Sequence, residues 1–214
     1  LLDVHDNELS GLNFTKCTGM EDVNVCNNSI IGVLDVNHIV HLKELNCSNN
    51  PITGLNIDKC VDLEMLDCSW NQLISLNVSG AEKMRTLDCR SNQLSDINLP
   101  AISVLETLLC QYNQLTSLSL VSTYTTLTVF SCANNRLTSL DVSRNVDMHT
   151  LDVSNNQFAE LNVSTMKKLF HFSCTDNLLT KLDVSNLTEL YHIDCSNNDL
   201  TELLLDNNTQ IRKL

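Results

Sequence analysis

The chain has 214 residues, 26 of them acidic and 13 basic, giving a formal charge of -13 and a pI near 4.6. Such a field repels phosphate backbones and anionic lipid surfaces, which argues against nucleic acid as a partner. No run of 18 apolar residues occurs, so direct membrane insertion is not expected.

From the N-terminus onward, asparagines recur at Asn7, Asn28, Asn50, Asn71, Asn92, Asn113, Asn135, Asn156, Asn177 and Asn198, always 21 or 22 residues apart. Apolar residues keep fixed distances from each one, as in Leu127, Phe130, Cys132, Asn135, Leu137, Leu140 and Val142. These seven define places 1, 4, 6, 9, 11, 14 and 16 of a repeat. A period of this length marks a stacked repeat array, in which each unit buries its core only against its neighbours. No Pro- or Gly-rich linker interrupts the beat, so residues 1–214 read as a single domain of about ten repeats. The chain starts and stops part-way into a repeat, so both ends read as incomplete and the chain as a fragment of a longer protein.

Within each repeat, places 4 and 6 differ by two, which in a strand puts both side chains on one face. A parallel sheet is therefore predicted over places 3 to 7. Places 14 and 16 repeat the spacing and predict a second, thinner run of extended segments. Neither half has the length or period of a helix. The tripeptides starting at Leu140, Leu161 and Leu182 end in valine, which favours a pleated surface there too. The place-9 asparagine follows the strand where the chain must turn. Its short amide can point inward and satisfy backbone groups of its own turn and the next, forming a structural ladder.

Ten cysteines need separate treatment. Cys47, Cys68, Cys89, Cys110, Cys132, Cys174 and Cys195 occupy the inward place 6, which Val4, Val25 and Val153 fill elsewhere. Exchange with valine implies a small apolar core position. Parallel strands about 4.8 Å apart do not suit disulfide geometry, which wants Cβ atoms roughly 3.5 to 4.5 Å apart. A line of thiols cannot wrap a tetrahedral zinc ion, so no metal is expected. Cys17 and Cys60 share place 19 and read as inward and inert. Asn28 and Ile30 fix Val25 at place 6, leaving Cys26 at place 7, facing out, as the one thiol expected to react in the folded protein. The extra residue of that repeat then falls after Ile30.

The pattern L-x-x-L-x-C-x-x-N-x-L-x-x-L-x-V, as in Leu42 to Ile57, resembles a leucine-rich repeat. With its inward cysteine and 21-residue spacing it is similar to the bacterial cysteine-ladder subgroup of internalin J type. The resemblance implies a right-handed solenoid with a parallel sheet on the concave face, short extended or 3-10 segments on the convex face, and little or no α-helix. It also implies a bacterial cell-surface or secreted setting, with adhesion to a host protein or glycan through the concave face.

Places 2, 3, 5, 7 and 8 are expected to project from the inner sheet, free to choose a partner. Place 5 runs from Asp3 and Asn24 to Asp194 as an acidic and amide-rich strip. Three successive repeats depart from the polar norm: Trp70 and Tyr112 take place 8, Arg90 takes place 7, and Leu109 takes place 5. These residue types dominate binding hot spots, and aromatic faces also stack on sugars. A second cluster combines Phe170 and Tyr191 at place 2 with His171 and His192 at place 3; His149 also sits at place 2. The two histidines lack a third metal ligand and read instead as an exposed edge or a pH-responsive interface.

No phosphate loop, zinc-binding H-E-x-x-H or nucleophile elbow is present, and no cofactor is implied. The sequence thus predicts a non-enzymatic, monomeric binding scaffold. The alternative is a spacer rod, about 45 Å long for ten strands, that presents another domain away from the cell surface.

Overall fold

The structure, a computed structural model, describes residues 1–99, 104–120 and 125–212. Sixteen short strands occur among them. They are β1 (Leu2–Asp3), β2 (Asp22–Asn24), β3 (Gly32–Asp35), β4 (Glu44–Asn46), β5 (Ile52–Asn56), β6 (Met65–Asp67), β7 (Leu76–Asn77) and β8 (Thr86–Asp88). The remainder are β9 (Ile97–Asn98), β10 (Thr107–Leu109), β11 (Val129–Ser131), β12 (Thr150–Asp152), β13 (His171–Ser173), β14 (Lys181–Asp183), β15 (His192–Asp194) and β16 (Glu202–Leu204). No residue among those described is helical.

Ten strands form one parallel sheet in the order β1-β2-β4-β6-β8-β10-β11-β12-β13-β15. Its register aligns like places throughout: Leu45 faces Leu66, Leu66 faces Leu87, and Leu108 faces Phe130. The strands cover places 3 to 5, shorter than the predicted 3 to 7. Turn-to-turn bonding nevertheless continues past them, because Cys47 N donates to Asp67 O and Asn49 N to Ser69 O. On the other side, places 13 to 15 form the thin extended segments predicted there in some of the repeats, paired among the described residues as β3-β5, β7-β9 and β14-β16. Between places 16 and 1 the chain coils in two consecutive three-residue turns. Ile39 N donates to Val36 O and Leu42 N to Ile39 O; Cys60, Leu63, Leu187 and Leu190 repeat the arrangement. Spacing by three therefore turns places 16, 19 and 1 all toward the core.

One continuous core fills the solenoid, from Phe14 and Val23 through Phe130 and Phe158 to Ile193. Place 6 is buried along most of its length, and all ten cysteines are free thiols. Burial holds the Cys47, Cys68, Cys89, Cys110 and Cys132 thiols well above the usual range. Cys60 at place 19 is also buried, and its thiol is pushed up to about 11. Cys26 is half-buried rather than open, and burial raises its thiol as well. Cys17 and Cys195 are equally half-buried, so Cys26 is not the lone accessible thiol that its place suggests. Its neighbours in the next turns shelter the outward face of place 7 more than alternation alone implies.

The extra residue of the second repeat lies between Ile30 and Leu34. Both are buried, Leu34 is level with Leu55, and the register slips between Gly32 and Val33. Gly32 takes φ 75°, where a side chain would be strained. Gly80 serves a different need, since a Cβ there would stand 2.6 Å from the carbonyl oxygen of Asp58 on the adjacent turn.

The place-9 asparagines bind all the turns together. The Asn92 amide nitrogen donates to the carbonyls of Cys89 and Arg90 in its own turn and of Cys68 in the preceding one, at 3.0 to 3.2 Å. Its oxygen accepts the Leu73 N–H of the preceding turn at 3.0 Å. Asn28, Asn50, Asn71, Asn113, Asn135, Asn156, Asn177 and Asn198 make the same four bonds; each accepts from place 11, as Asn135 does from Leu115. Asn7 reaches only Val4 and His5 of its own turn. Replacing Asn113 by alanine leaves the Leu94 N–H without its acceptor, while the Cys89, Cys110 and Gln111 carbonyls keep bonds from Asn92, Asn135 and Ser91 N, and is expected to cost roughly 1 to 3 kcal/mol. Asn7→Ala should cost less, and urea unfolding of the two variants measures the difference.

Candidate functional site

The ladder fixes which side chains are left free. Places 4 and 6 point inward, and places 3, 5 and 7 point out from the sheet. Place 5 proves less free than its outward direction suggests. Asn46 Oδ1 accepts the Ser48 N–H and hydroxyl at 3.0 and 2.7 Å, and Asp67 and Asp152 hold Ser69 and Ser154 in the same way. Asn24 and Asp88 likewise accept the N–H of Cys26 and Arg90. The place-7 N–H points away from the ladder, and a short carboxylate or amide two residues back caps it. The acidic strip is thus partly structural, a role that the alternation pattern alone does not reveal.

Place 8 is not on the sheet face but in the turn leaving it. All ten place-8 residues have positive φ between 51° and 57°, from Asp6 and Asn27 to Asp176 and Asn197. Asn and Asp tolerate this conformation, whereas bulky side chains rarely adopt it. Trp70 and Tyr112 nevertheless sit there, at φ 54° and 57°, with 62% and 59% of their surface exposed. Trp70 and Tyr112 therefore belong to the rim rather than the concave face. The enrichment of Asn and Asp just before the ladder asparagine is the sequence signal for this turn.

Around them the rim carries its own amide ladder. Asn27 Nδ2 donates to Asp6 Oδ1 and Asn49 Nδ2 to Asn27 Oδ1; beyond the centre, Asn155 donates to Asn134 and Asn197 to Asp176. Trp70, Ser91 and Tyr112 occupy the three successive positions between these stretches. A shallow pocket of about 360 Å³ beside them is lined by Asn49, Pro51, Trp70, Gln72 and Ser91.

The other two members of this group lie on the face proper. Arg90 Nη2 pairs with Asp88 Oδ2 at 3.2 Å, and Leu109 is half-buried in register beside Asp88. The Asp88 side chain is only 10% exposed, and desolvation pushes its carboxyl up to about 6 despite the Arg90 N–H and guanidinium. Next to this pair, Arg90 Nε and Gln111 Oε1 are buried without partners.

The C-terminal cluster forms as a unit three strands further along the stack from Tyr112 and on the opposite end of the strands. Phe170 and Tyr191 stack with ring centroids 4.9 Å apart and planes 5° from parallel. His171 meets Phe170 edge-on at 4.8 Å, and His171 and His192 meet edge-on at 5.8 Å. Phe170 and Tyr191 remain 41% and 40% exposed. No cluster of three potential metal ligands exists among the described residues. The same place 2 is occupied differently toward the N-terminus, where Lys43 pairs with Glu21 at 2.7 Å and Arg85 with Glu106 at 2.6 Å. The row passes from charges that satisfy one another to rings left facing solvent.

A family model described as Leucine Rich Repeat matches residues 41–61. Over 99% of the chain the fold superposes, with TM-score 0.95 and 32% identity, on the functional domain of InlJ from Listeria monocytogenes, which includes a cysteine ladder. The chain belongs to the leucine-rich repeat family, in its internalin-like cysteine-ladder subgroup. It spans 47% of the InlJ structure. Internalin C2 from Listeria monocytogenes matches 82% of this leucine-rich repeat chain and is itself covered over 80%, at 25% identity and TM-score 0.73. YopM from Yersinia enterocolitica shares the fold over 90% of this chain and 50% of its own, at 22% identity and TM-score 0.62. No curated protein sequence matches the chain.

Two outcomes follow for this repeat array. Trp70→Asn replaces a strained aromatic with the residue the turn favours, so it should raise stability by about 1 kcal/mol, read as a higher melting temperature. For Asp88, the folded carboxyl has its proton affinity raised above the ordinary value of 3.8. The folded state therefore holds more protons than the unfolded one, and stability falls as pH rises from about 4 through 6. Asp88→Asn removes that slope and should stabilise the protein by roughly 1 to 3 kcal/mol at pH 7 relative to its effect at pH 4, measured by denaturant titration at both pH values.

Proposed function

We propose that this chain is a non-enzymatic binding module of a bacterial cell-surface or secreted protein, which grips a host protein through its concave face. The observation that carries the reading is the exposed stack of Phe170 and Tyr191, edged by His171 and His192. The fold does not need these rings, because earlier repeats fill the same place with paired ions. Aromatic anchors with a polar border are the composition of a hot spot. Near the chain's centre, the half-buried Leu109 and the partly exposed Arg90 guanidinium extend the face. Likeness to the functional domain of a Listeria internalin over 99% of this chain supports the surface-adhesion setting.

The test is capture of proteins from an epithelial-cell surface extract by the immobilised chain. Phe170→Ala and Tyr191→Ala are each expected to weaken capture by about tenfold with an unchanged melting temperature. Undiminished capture by both variants would move the site elsewhere. No capture at all would favour the spacer rod.

A further inference from the structure

The rim around Trp70 carries a second chemistry. Trp70, Ser91 and Tyr112 stand at place 8 of three successive repeats, so the two aromatic side chains are roughly 10 Å apart, two strand spacings, with the small Ser91 between them. Two residues further on, at place 10, the same three repeats carry Gln72, Gln93 and Gln114, all exposed. Gln72 and Trp70 line one shallow pocket together with Asn49, Pro51 and Ser91, and no charged side chain lines it. Outside these repeats, place 10 holds Glu8, Ser29, Pro51, Arg136, Gln157, Leu178 and Asp199, so three glutamines in succession occur only here. A strip of two aromatics, a hydroxyl and three primary amides is thus uncharged on a chain whose formal charge is -13. The side-chain bonds that tie place-8 residues together from Asp6 to Asn49, from Asn134 to Asn155 and from Asp176 to Asn197 do not extend to Trp70, Ser91 or Tyr112.

We propose that this strip is a saccharide-binding subsite for a neutral oligosaccharide. The apolar C–H face of a sugar ring packs on an aromatic ring, while its hydroxyls, each both donor and acceptor, suit amides that are also both. Trp70 and Tyr112 supply two stacking platforms, with Ser91 leaving room between them. Gln72, Gln93 and Gln114 supply the bidentate hydrogen bonds along one side. Neutral lining admits an uncharged sugar, and the surrounding negative field disfavours an acidic one. The subsite is separate from the Phe170–Tyr191 cluster and stands or falls independently of it.

Trp70 is the only tryptophan of the chain, so its fluorescence reports on this site alone. The full chain is titrated with N-acetyllactosamine, chitotriose and mannotriose, and with sialylated N-acetyllactosamine as the acidic counterpart. At least one neutral sugar is expected to shift or quench the emission saturably, with the sialylated form weaker. Tyr112→Asn, which installs the residue that the turn favours and leaves Trp70 in place, should weaken that response about tenfold while Phe170→Ala leaves it unchanged. No saturable response to any neutral sugar, or a response unaltered by Tyr112→Asn, overturns the subsite without touching the concave-face proposal. An emission change produced by a deglycosylated captured protein, and by no sugar, assigns the rim to protein instead.

Discussion

Winding a chain through one turn every 21 or 22 residues strands backbone groups inside the molecule, and one asparagine amide per turn takes up that burden. From Asn28 onward, each amide joins the two carbonyls before it to a carbonyl and an N–H of the preceding turn, as Asn50 does. Buried groups of this kind are costly when unpaired, so the amide fixes both the position of the turn and the spacing to its neighbour. Strand register, the inward direction of places 4 and 6, and the left-handed residue just before the amide all follow from that placement. A scaffold determined at these positions is indifferent to what its outward positions carry, and this indifference lets a ligand-binding surface be written on it.

Much of the architecture was legible in sequence because the repeat presents the same physics ten times. Leu45 and Cys47 two apart, and Leu55 and Ile57 two apart, announce extended backbone on both sides, and both sides are extended. What escaped the reading depends on how side chains bend back to local backbone. Asp67 faces outward by alternation yet caps Ser69, and Asn49 appears merely polar until its φ of 52° is known. Cys26 faces outward too, but it is half-buried. Periodicity gives direction; it does not give the neighbour that fills the space.

The candidate sites were legible as residues but not as places. Trp70, Arg90, Leu109 and Tyr112 separate into rim and face because a single residue, place 8, leaves the sheet through a left-handed turn. Phe170, His171, Tyr191 and His192 do stay together, since places 2 and 3 repeat in register across β13 and β15. The rim strip at Trp70 and Tyr112 and the C-terminal cluster present different surfaces, one uncharged and amide-rich, the other aromatic with imidazole edges. A glycosylated protein would offer a complement to both.

The bonds that hold the array run almost entirely between one turn and the next, as from Asn135 to Cys110 and from Cys110 N to Ser131 O. Under tension applied at the two ends, such an array yields by shedding its outermost turn, while the interior keeps its full set of partners. Each turn released lengthens the tether by the contour of about 21 residues, and the turn behind it becomes the new end. Extension under load would therefore proceed in steps of one repeat, from the flanks inward, while the central turns stay folded.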